Sequence, residues 1–411
     1  MRLDSQKNKK IGIYGLGRTG ISCFNALNSL AKKILCYDDN IKQRIDITPL
    51  NKWYDLDYII VSPGIALHYP KKHRIVTLAE KLKIPLFSDI DLLSMELPSS
   101  YYIGITGTKG KSTTAAVLHH ILQGAKKDFL LGGNIGIPCL DLKKASGYIL
   151  ELSSFQLELA SKLRLSIAVI LNIKQDHLDR YSSFEDYKNT KYKILGLVKK
   201  NGIVILNIDD KELHDLYKKL KNNNYYRIIP ISMNNILKSN INILAAKTVA
   251  SFMRINMADI NSSVKSFSCL PHRMEYLGKY KNIHFYNDSK ATTPCSARYA
   301  LSKLKNIYWI AGGILKVRDI GETDSYIANV ERAYFFGSDK NRLKKIFYNQ
   351  VPIMLVENMK EAFTNATKDS LLDSAECNII LSPMCSSFDQ FSNAEERGLT
   401  FIKYYKELVN A

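Results

Sequence analysis

The sequence predicts an α/β fold built from three successive domains. Two observations support this prediction. Short apolar segments end repeatedly in loops of glycine and small polar residues, as strands of a parallel sheet do at a ligand-binding edge. Helix-forming segments fill the gaps between them, as parallel crossovers require. The length of 411 residues exceeds one domain, and boundaries near Leu97 and Leu270 give predicted domains over residues 1–97, 98–270 and 271–411.

The first region begins with an apolar strand, residues 11–14, which runs directly into the sequence GLGRTG. A helical stretch follows, and then a second strand, residues 34–37, that ends in Asp38. The pattern G-x-G-x-x-G, with an acidic residue roughly 20 positions later, is typical of a Rossmann-like unit that binds a dinucleotide. The same unit can hold other nucleoside diphosphates, so an NAD-dependent enzyme is only one interpretation. A third strand, Tyr58–Val61, leads into the sequence SPG, which fits a ligand loop or a plain turn.

The second region contains the sequence YYIGITGTKGKSTT at residues 101–114. An apolar strand, a glycine-rich loop and a helix-forming stretch follow one another here, as in a phosphate-binding loop. Glycine lets backbone N–H groups approach phosphates, and the helix N-terminus adds partial positive charge. Lys111 is predicted to reach the terminal phosphates, and Ser112 or Thr113 to hold Mg²⁺. An ordinary glycine-rich turn is the alternative, but the GKST sequence favours a P-loop ATPase-like domain.

Two further strand ends in this region carry candidate metal ligands. Glu151 ends an apolar strand, and the sequence DHLDRY, which contains His177, follows the next one. An acidic residue at a strand end near a phosphate loop is the usual second anchor for Mg²⁺. From the residues alone, His177 is more simply a loop histidine. Lys191 lies in a predicted helix over residues 182–197 and is most simply a solvated lysine.

The third region is predicted to be a Rossmann-like parallel sheet. Its strands at residues 283–287, 307–310 and 379–381 lead into the sequences DSKATTP, AGGILK and SPMCSSFDQF. Three strands that end in small, polar loops indicate one active edge.

Composition narrows the class of protein. Apolar residues make up 46% and charged residues 24%, as in ordinary soluble globular proteins. No apolar run reaches the ~18 residues that a membrane span needs, and the first ten residues do not resemble a signal peptide. The seven cysteines are scattered without a C-x-x-C pair, which suits reduced thiols and a cytoplasmic location. The net charge of +19 is dispersed as single and paired lysines, so we expect neither a nucleic-acid partner nor a membrane partner.

Taken together, these motifs resemble the Mur ligase family, and most closely its D-glutamate-adding members. The resemblance covers nearly the whole chain and rests on eleven motifs in order: GLGRTG, SPGIAL, GITGTKGKSTT, GGNIG, LELSSFQLE, DHLDRY, YKNTKYKI, LPHRME, NDSKAT, AGG with a following lysine, and LSPMCSSFDQF. It implies an ATP- and Mg²⁺-dependent ligase that adds D-glutamate to UDP-N-acetylmuramoyl-L-alanine through an acyl phosphate. It also implies small-molecule substrates only, and the expected assembly is a monomer.

The resemblance also implies roles for individual residues. Those implied in catalysis or metal binding are Lys111, Ser112, Glu151, His177 and Lys191, with Lys191 carbamylated. Those implied to bind ATP are Thr108, Lys109, Gly110, Lys111, Ser112, Thr113 and Thr114, with Asn242, Arg273 and Asp288 across a domain interface. Those implied to bind the UDP part are Arg18, Thr19, Asp38 and Gly64, and Asn134 is implied to contact the muramoyl group. Those implied to hold D-glutamate are Lys290, Thr292, Lys316 and Ser387.

Some positions depart from the family pattern. Lys109 stands where the phosphate loop usually has Asn, and Ala394 stands where an aromatic residue often lies beside the glutamate site. Asp39 and Asn40 replace residues that often contact uracil, and the segment before Asn242 lacks a His-Asn pair. Two other functions are carried as alternatives: a related amide ligase of the folylpolyglutamate synthase type, and a nucleic-acid-binding P-loop ATPase suggested only by the charge.

Overall fold

The computed structural model describes residues 3–39, 45–134, 137–177, 179–233, 240–267, 270–316, 320 and 324–410. The chain divides into two compact units, Met1–Phe267 and Ser268–Ala411. The first unit contains two sheets and the second contains one. The predicted α/β class is confirmed, because helices alternate with strands that pair almost entirely in parallel.

The first sheet has the strand order β2-β1-β3-β4 and is parallel throughout. Its strands are β1 (Lys10–Tyr14), β2 (Lys33–Tyr37), β3 (Tyr58–Val61) and β4 (Leu86–Phe87), and its helices are α1 (Arg18–Leu27), α2 (Arg74–Leu82) and α3 (Asp89–Glu96). Because β1 lies between β2 and β3, the loops that follow these three strands meet at one edge. GLGRTG, Asp38 and SPG are therefore neighbours.

The second sheet has the order β10-β9-β8-β5-β7-β6, again parallel. Its strands are β5 (Tyr101–Thr106), β6 (Phe129–Gly133), β7 (Gly147–Glu151), β8 (Leu165–Ile170), β9 (Val198–Asn207) and β10 (Arg227–Ile231). Its helices are α4 (Lys111–Gly124), α5 (Ser154–Leu159), α6 (Phe184–Tyr192), α7 (Lys211–Leu220), α8 (Ile241–Phe252) and α9 (Met257–Ser266). The strand β5 lies between β7 and β8, which places the glycine-rich loop between the ends of those two strands.

The third sheet has the order β11-β12-β16-β13-β14-β15. Its strands are β11 (Glu275–Tyr280), β12 (Ile283–Asn287), β13 (Ile307–Gly312), β14 (Val330–Phe336), β15 (Ile353–Leu355) and β16 (Cys377–Leu381). Its helices are α10 (Pro294–Leu301), α11 (Asp324–Ile327), α12 (Lys340–Ile346), α13 (Met359–Ser370) and α14 (Ala394–Val409). The edge strand β11 pairs antiparallel with β12, a departure from the fully parallel sheet that the sequence suggested.

Residues of the central strands are buried on both faces of the second sheet. Ile103 and Ile105 of β5 pack with α4, α8 and α9, whereas Tyr102 belongs to the core on the opposite face. This explains why the strands read as continuous apolar runs instead of alternating with polar residues. It also leaves only the carboxyl ends of the strands free to present polar side chains.

The sequence analysis missed several strands, whereas its helix over residues 182–197 is confirmed with a change of helix type. The predicted helix over residues 182–197 is α6, which ends at Tyr192 and continues as a 3₁₀ segment, Lys193–Leu197. Residues 211–227 contain α7, a loop and the first residue of β10. The edge strand β10 is only five residues long, contains Pro230 and is mostly unburied, so its pattern resembles that of a loop. Among the described residues, no helix combines the length and apolar character that crossing a bilayer requires.

Candidate active site

The glycine-rich loop between β5 and α4 has a backbone that only glycine adopts readily. Gly107 has φ of +153° and Gly110, which precedes the first residue of α4, has φ of +85°. A Cβ at Gly110 would lie 2.1 Å from Oδ1 of Asn242 at the start of α8. The fold thus brings Asn242 against the loop, a contact between residues 132 positions apart.

Hydrogen bonds hold the loop in place. Nζ of Lys111 donates to the carbonyls of Gly107 and Thr108, at 2.9 Å each. The backbone of Lys109 makes two bonds with the side chain of Asn172, at 2.8 and 2.9 Å. Asn172 follows β8 and holds backbone atoms of residue 109, so these two bonds do not depend on which side chain that residue carries.

Glu151 ends β7 and is 1% exposed. Its Oε1 accepts a bond of 2.9 Å from the side chain of Asn134, whereas its Oε2 is buried and has no hydrogen-bond partner among the described residues. Gly133 lies against this strand end with φ of +95°, and a Cβ there would lie 2.3 Å from the carbonyl oxygen of Glu151. A buried carboxylate oxygen with one open coordination position fits a divalent cation.

Lys191 is buried, not solvated, so the simplest interpretation of the sequence was wrong. The side chain of Lys191 in α6 is 1% exposed, and its Nζ donates to the carbonyl of Gly107 at 2.9 Å. Its ammonium lies 4.8 Å from the ring centre of Tyr187. Burial, and then the charge of Lys111, lower the pKa of Lys191 from 10.5 to about 7. The helical spacing of Lys191 from the buried residues Tyr187 and Ile194 was compatible with burial, but a lysine on such a face is usually solvated.

His177 lies in the loop after β8 with φ of +53°. Its ring centre is 5.0 Å from that of Phe155 and 6.4 Å from that of Tyr187. Burial lowers the pKa of His177, and the nearby charges of Lys191 and Lys111 lower it further, against Asp176 and Asp179. The fold therefore brings His177 and Lys191 to the same strand edge as Lys111 and Glu151.

The residue types at this edge limit how a metal could bind. Within the part of the chain that the structure describes, no three His, Cys, Asp or Glu side chains converge as a ready-made metal site. Mg²⁺ usually takes only one or two protein carboxylates and completes its shell with substrate phosphates and water. Ser112 and Thr114, both buried in the first turn of α4, add hydroxyls, and Oγ1 of Thr114 has no partner in the described chain. Thr113 lies between these two residues in the same turn.

The residues predicted to bind the UDP part lie at the carboxyl ends of β1, β2 and β3 in the first sheet. Asp38, at the end of β2, accepts a 2.5 Å bond from the backbone N–H of Leu16 in the GLGRTG loop. Arg18 and Thr19 are the first two residues of α1. Gly64 lies in the SPG loop, and its carbonyl accepts a 2.7 Å bond from Arg180 of the DHLDRY sequence.

Sequence reasoning missed a polar cluster beside this edge. Asp39 contacts three side chains, since Oδ2 lies 2.8 Å from the hydroxyl of Tyr14 and 3.1 Å from Nε2 of His73, and Oδ1 lies 2.6 Å from Nη2 of Arg74. Arg74 also covers the ring of Tyr37 at 4.9 Å. Burial and the neighbouring Asp39 raise the pKa of Tyr14, although Arg74 opposes this. Residues 39 and 74 are too far apart in sequence for any spacing pattern to connect them. Two of the positions that depart from the family pattern, Asn40 and the segment before Asn242 at residues 234–239, lie outside the described residues.

In the second unit, the loops after β12, β13 and β16 meet at one edge. Asp288 is hydrogen-bonded at 3.1 Å by the backbone N–H of Met274 and at 2.9 Å by the hydroxyl of Ser382, and burial raises its pKa to about 7. Lys290 makes an ion pair with Glu395. The remaining predicted residues of this unit lie on the same loops or beside them: Arg273, Thr292, Lys316 and Ser387.

Another residue missed by sequence reasoning is Arg397 in α14, which is fully buried. It donates to the hydroxyl and carbonyl of Ser289 and to the carbonyls of Gly312 and Cys385, over 2.9 to 3.2 Å. One guanidinium thus joins the three loops of this edge. The sequence contains no pattern that predicts a buried arginine without a carboxylate.

Comparison with known proteins identifies the relatives of this chain. The Mur ligase middle domain, as a family model, matches residues 105–281. The UDP-N-acetylmuramoylalanine–D-glutamate ligase of Rickettsia felis is 39% identical, over 98% of this chain and 98% of that protein. The protein of the same name from Wolbachia sp. subsp. Brugia malayi is 31% identical, over 99% of this chain and 98% of its own length.

Solved structures agree on the fold. The UDP-N-acetylmuramate-alanine ligase MurC of Thermotoga maritima superposes with a TM-score of 0.61 at 17% identity, over 97% of this chain and 100% of that one. The MurF ligase of Thermotoga maritima, in complex with ADP, gives 0.59 at 15% identity, over 100% and 97% of the two chains. At such identities the likeness concerns the fold alone, whereas the full-length relatives define the family. With nearly complete coverage at up to 39% identity, the chain belongs to the Mur ligase family, in its group of UDP-N-acetylmuramoylalanine–D-glutamate ligases.

Proposed function

We propose that this protein is an ATP-dependent ligase that adds D-glutamate to UDP-N-acetylmuramoyl-L-alanine and releases ADP and phosphate. The observation that carries the proposal is the convergence of Lys111, Glu151, His177 and Lys191 at the carboxyl edge of one sheet. The names of the full-length relatives support this choice of substrates. The proposal includes ATP and Mg²⁺, small-molecule substrates only, a monomer, and a cytoplasmic location.

The reaction brings anions together twice. The alanyl carboxylate attacks the γ-phosphate of ATP, which forms an acyl phosphate and releases ADP. The neutral amine of D-glutamate then attacks the acyl carbon, loses a proton and expels phosphate. Lys111 and the backbone N–H groups at the start of α4 would neutralise the phosphate charge, and the residues from Thr108 to Thr114 would cradle the phosphates. Neither step requires a covalent nucleophile from the protein, so catalysis would come from positioning and electrostatics.

Mg²⁺, when bound, would supply positive charge that stabilises the phosphates, and the residues that would hold it are Glu151, Ser112, His177 and a carbamylated Lys191. A lysine must be neutral to take up carbon dioxide, and the pKa of about 7 leaves much of Lys191 neutral at neutral pH. The carbamate would change a buried cation into an anionic oxygen ligand, which a hard cation prefers. It would also remove the repulsion between Lys191 and Lys111.

The substrate-binding roles that we propose are distributed over the three sheets. Arg18, Thr19, Asp38 and Gly64 would bind the UDP part at the first sheet, and Asn134 would contact the muramoyl group while it holds Glu151. Asn242, Arg273 and Asp288 would contact ATP. The D-glutamate site would consist of the following residues in the second unit: Lys290, Thr292, Lys316 and Ser387.

The proposal is tested by phosphate release with a panel of substrates. We expect release only when ATP, UDP-N-acetylmuramoyl-L-alanine and D-glutamate are all present. Equal turnover with L-glutamate would contradict the proposal, as would activity with a folate substrate in place of the muramoyl one. Stimulation of ATP hydrolysis by DNA alone would instead favour the nucleic-acid-binding ATPase.

Lys111→Ala should abolish this phosphate release, because it removes the cation nearest the transferred group. Lys200→Ala, at an exposed position of β9 in the same sheet, is the matched control and should retain activity. Near-normal turnover of the Lys111 variant would remove that residue from the site.

A further inference from the structure

We propose that Arg180 is a positioning residue that ties the SPG loop of the first sheet to the His177 loop of the second sheet. This inference rests on the proposed function for its consequence in catalysis. The contacts themselves lie within a single compact unit, Met1–Phe267.

The first part of the tie is a fork of two hydrogen bonds. Nη1 of Arg180 donates to the carbonyl of Gly64 at 2.7 Å, and Nη2 donates to the carbonyl of Ile65 at 3.2 Å. Two nitrogens in a rigid plane thus hold two consecutive peptide groups of the SPG loop. A lysine, with one point charge on a flexible stem, does not reproduce this geometry.

The second part of the tie is an aromatic stack. The guanidinium carbon of Arg180 lies 4.5 Å from the ring centre of Phe155, and that ring lies 5.0 Å from the ring of His177. The backbone N–H of Arg180 also donates to the carbonyl of His177 at 2.9 Å, which closes the turn between them. The side chain of Arg180 and the ring of His177 therefore share Phe155 as a common support.

The contacts continue to the phosphate loop. The ring of His177 lies 6.4 Å from that of Tyr187, and the hydroxyl of Tyr187 is 3.0 Å from Oγ1 of Thr108. The same tyrosine ring supports the ammonium of Lys191. A continuous set of packed side chains thus connects Gly64 with Thr108, through Arg180, Phe155, His177 and Tyr187.

The electrostatic surroundings of Arg180 also favour a role beyond cohesion. Arg180 forms no ion pair with a described carboxylate, and its Nε is buried without a hydrogen-bond partner among the described residues. Its guanidinium instead contacts peptide carbonyls and the Phe155 ring, and Glu158 is the carboxylate whose charge interacts with it without a direct ion pair. A direct carboxylate pair would hold the guanidinium in another geometry, whereas here both of its terminal nitrogens are used by the SPG loop.

The tie would set the distance between the loop that holds the diphosphate and the groups around the γ-phosphate. A substrate anchored at the SPG loop must place its carboxylate within reach of the phosphoryl group, and a displacement of about 1 Å can lower the rate by about a hundredfold. Loss of the tie should therefore affect the UDP substrate and turnover, and leave ATP binding almost unchanged.

The test compares Arg180→Met and Arg180→Lys with Arg164→Met. Arg164 is the matched control, because its Nη1 donates to the carbonyls of Ser161 and Leu163, at 3.0 and 2.8 Å, within its own loop. For Arg180→Met we expect the KM for UDP-N-acetylmuramoyl-L-alanine to rise about tenfold and kcat to fall about tenfold or more, with the KM for ATP changed less than about threefold. Arg180→Lys should recover part of the loss, and Arg164→Met should behave as wild type.

A second measurement does not depend on turnover. Hydrogen exchange of residues 62–65 should accelerate in Arg180→Met and stay at the wild-type rate in Arg164→Met. In the double variant Arg180→Met with Phe155→Leu, the losses should be less than additive, because both changes break the same tie.

The outcomes separate this inference from the proposed function. If wild type lacks D-glutamate-dependent phosphate release, the proposed function fails, and the exchange measurement still decides whether the tie exists. If wild type is active and Arg180→Met keeps its kinetic constants, or only melts at a lower temperature with all KM values unchanged, the inference is overturned. If Arg180→Met does not fold, Arg180→Lys decides by the same criteria.

Discussion

The environment of Lys191 determines its chemistry. On an exposed helix face it would be a permanent cation near neutral pH. Here the side chain is buried against Tyr187 and close to Lys111, and its pKa falls to about 7. A neutral amine in contact with a phosphate loop is unusual, and it is the state from which a carbamate forms.

Lys191→Ala should abolish ligase activity, because the anionic ligand that a carbamate supplies is lost. Short carboxylates added to the assay should restore part of that activity by entering the space left by the side chain. Lys193→Ala, an exposed lysine two residues further on, should be unaffected in the same phosphate-release assay. Full activity of Lys191→Ala without additives would show that the residue has no role in the reaction.

A second titratable group is buried away from the active site. Asp89, at the start of α3, is 3% exposed, and burial raises its pKa from 3.8 to about 6. Between these two values the folded state holds more protons than the unfolded state. Rising pH therefore lowers the free energy of unfolding across this window, and the loss is complete above pH 6.

Asp89→Asn does not titrate, so from pH 4 to pH 6 its free energy of unfolding should rise relative to wild type, by up to about 3 kcal/mol. Denaturant midpoints at several pH values measure this.

Asp57→Asn is a control in which the pH dependence of stability has the opposite sign, because hydrogen bonds from the Lys10 backbone and from Lys9 lower the pKa of Asp57. Its carboxylate stabilises the fold above pH 4, so Asp57→Asn should be the less stable protein at pH 7. A pH-independent difference for Asp89→Asn would contradict the burial of a charge there.

At the scale of elements, the order of strands decides which loops become neighbours. In the first sheet, β1 lies between β2 and β3, so the turn from β1 into α1 has the other two loops on either side, and a Cβ at Gly15 would lie 2.8 Å from the side chain of Ser62 after β3. The backbone of Gly20 lies against the carbonyl of Gly15, where a Cβ would come within 1.9 Å. By contrast, a Cβ at Gly17 would meet no atom within 4 Å.

Gly20→Ala should destabilise the first unit by about 2 kcal/mol or more, because helix α1 must move away from β1. Gly17→Ala is the matched control and should change the melting temperature little, since Gly17 has an ordinary negative φ of −68°. Thermal unfolding followed by circular dichroism measures both. Equal melting temperatures for the two variants would contradict the close approach of α1 to β1.

At the scale of the whole molecule, each of the two units has its own apolar cores. Those of Met1–Phe267 flank the first two sheets, and those of Ser268–Ala411 flank the third. Separate cores predict separate unfolding transitions. Arg397 contributes to the second unit only, where it satisfies the carbonyls of three loops.

Arg397→Met should lower the transition of Ser268–Ala411 and leave that of Met1–Phe267 unchanged. Each buried carbonyl left without a donor costs about 1–3 kcal/mol of stability. With three carbonyls affected, the free energy of unfolding of this unit should fall by at least about 3 kcal/mol. Arg332→Met, which removes a half-exposed ion pair with Asp369 at 2.7 Å, should cost less than about 1 kcal/mol. Differential scanning calorimetry resolves the transitions, and a single transition shifted by Gly20→Ala and Arg397→Met alike would contradict independent cores.

The sequence alone was sufficient for the α/β class, the phosphate loop and the loops at the carboxyl ends of central strands. These features are local, because a strand, a turn that needs glycine and a helix start each impose a residue pattern within about ten positions. Glu151 and Asp38 were identifiable for the same reason, as polar residues that end apolar strands. The motif resemblance added roles that spacing could not assign.

Only the tertiary structure determined the burial of Lys191, the contact of Asn242 with Gly110, and the tie from Arg180 to Gly64. The last two join residues 132 and 116 positions apart, and no local pattern encodes such a pair. Burial likewise depends on which elements cover a residue, and that depends on strand order. Desolvation by those elements is what lowers the pKa of Lys191, so its chemistry follows from the fold and not from its neighbours in sequence.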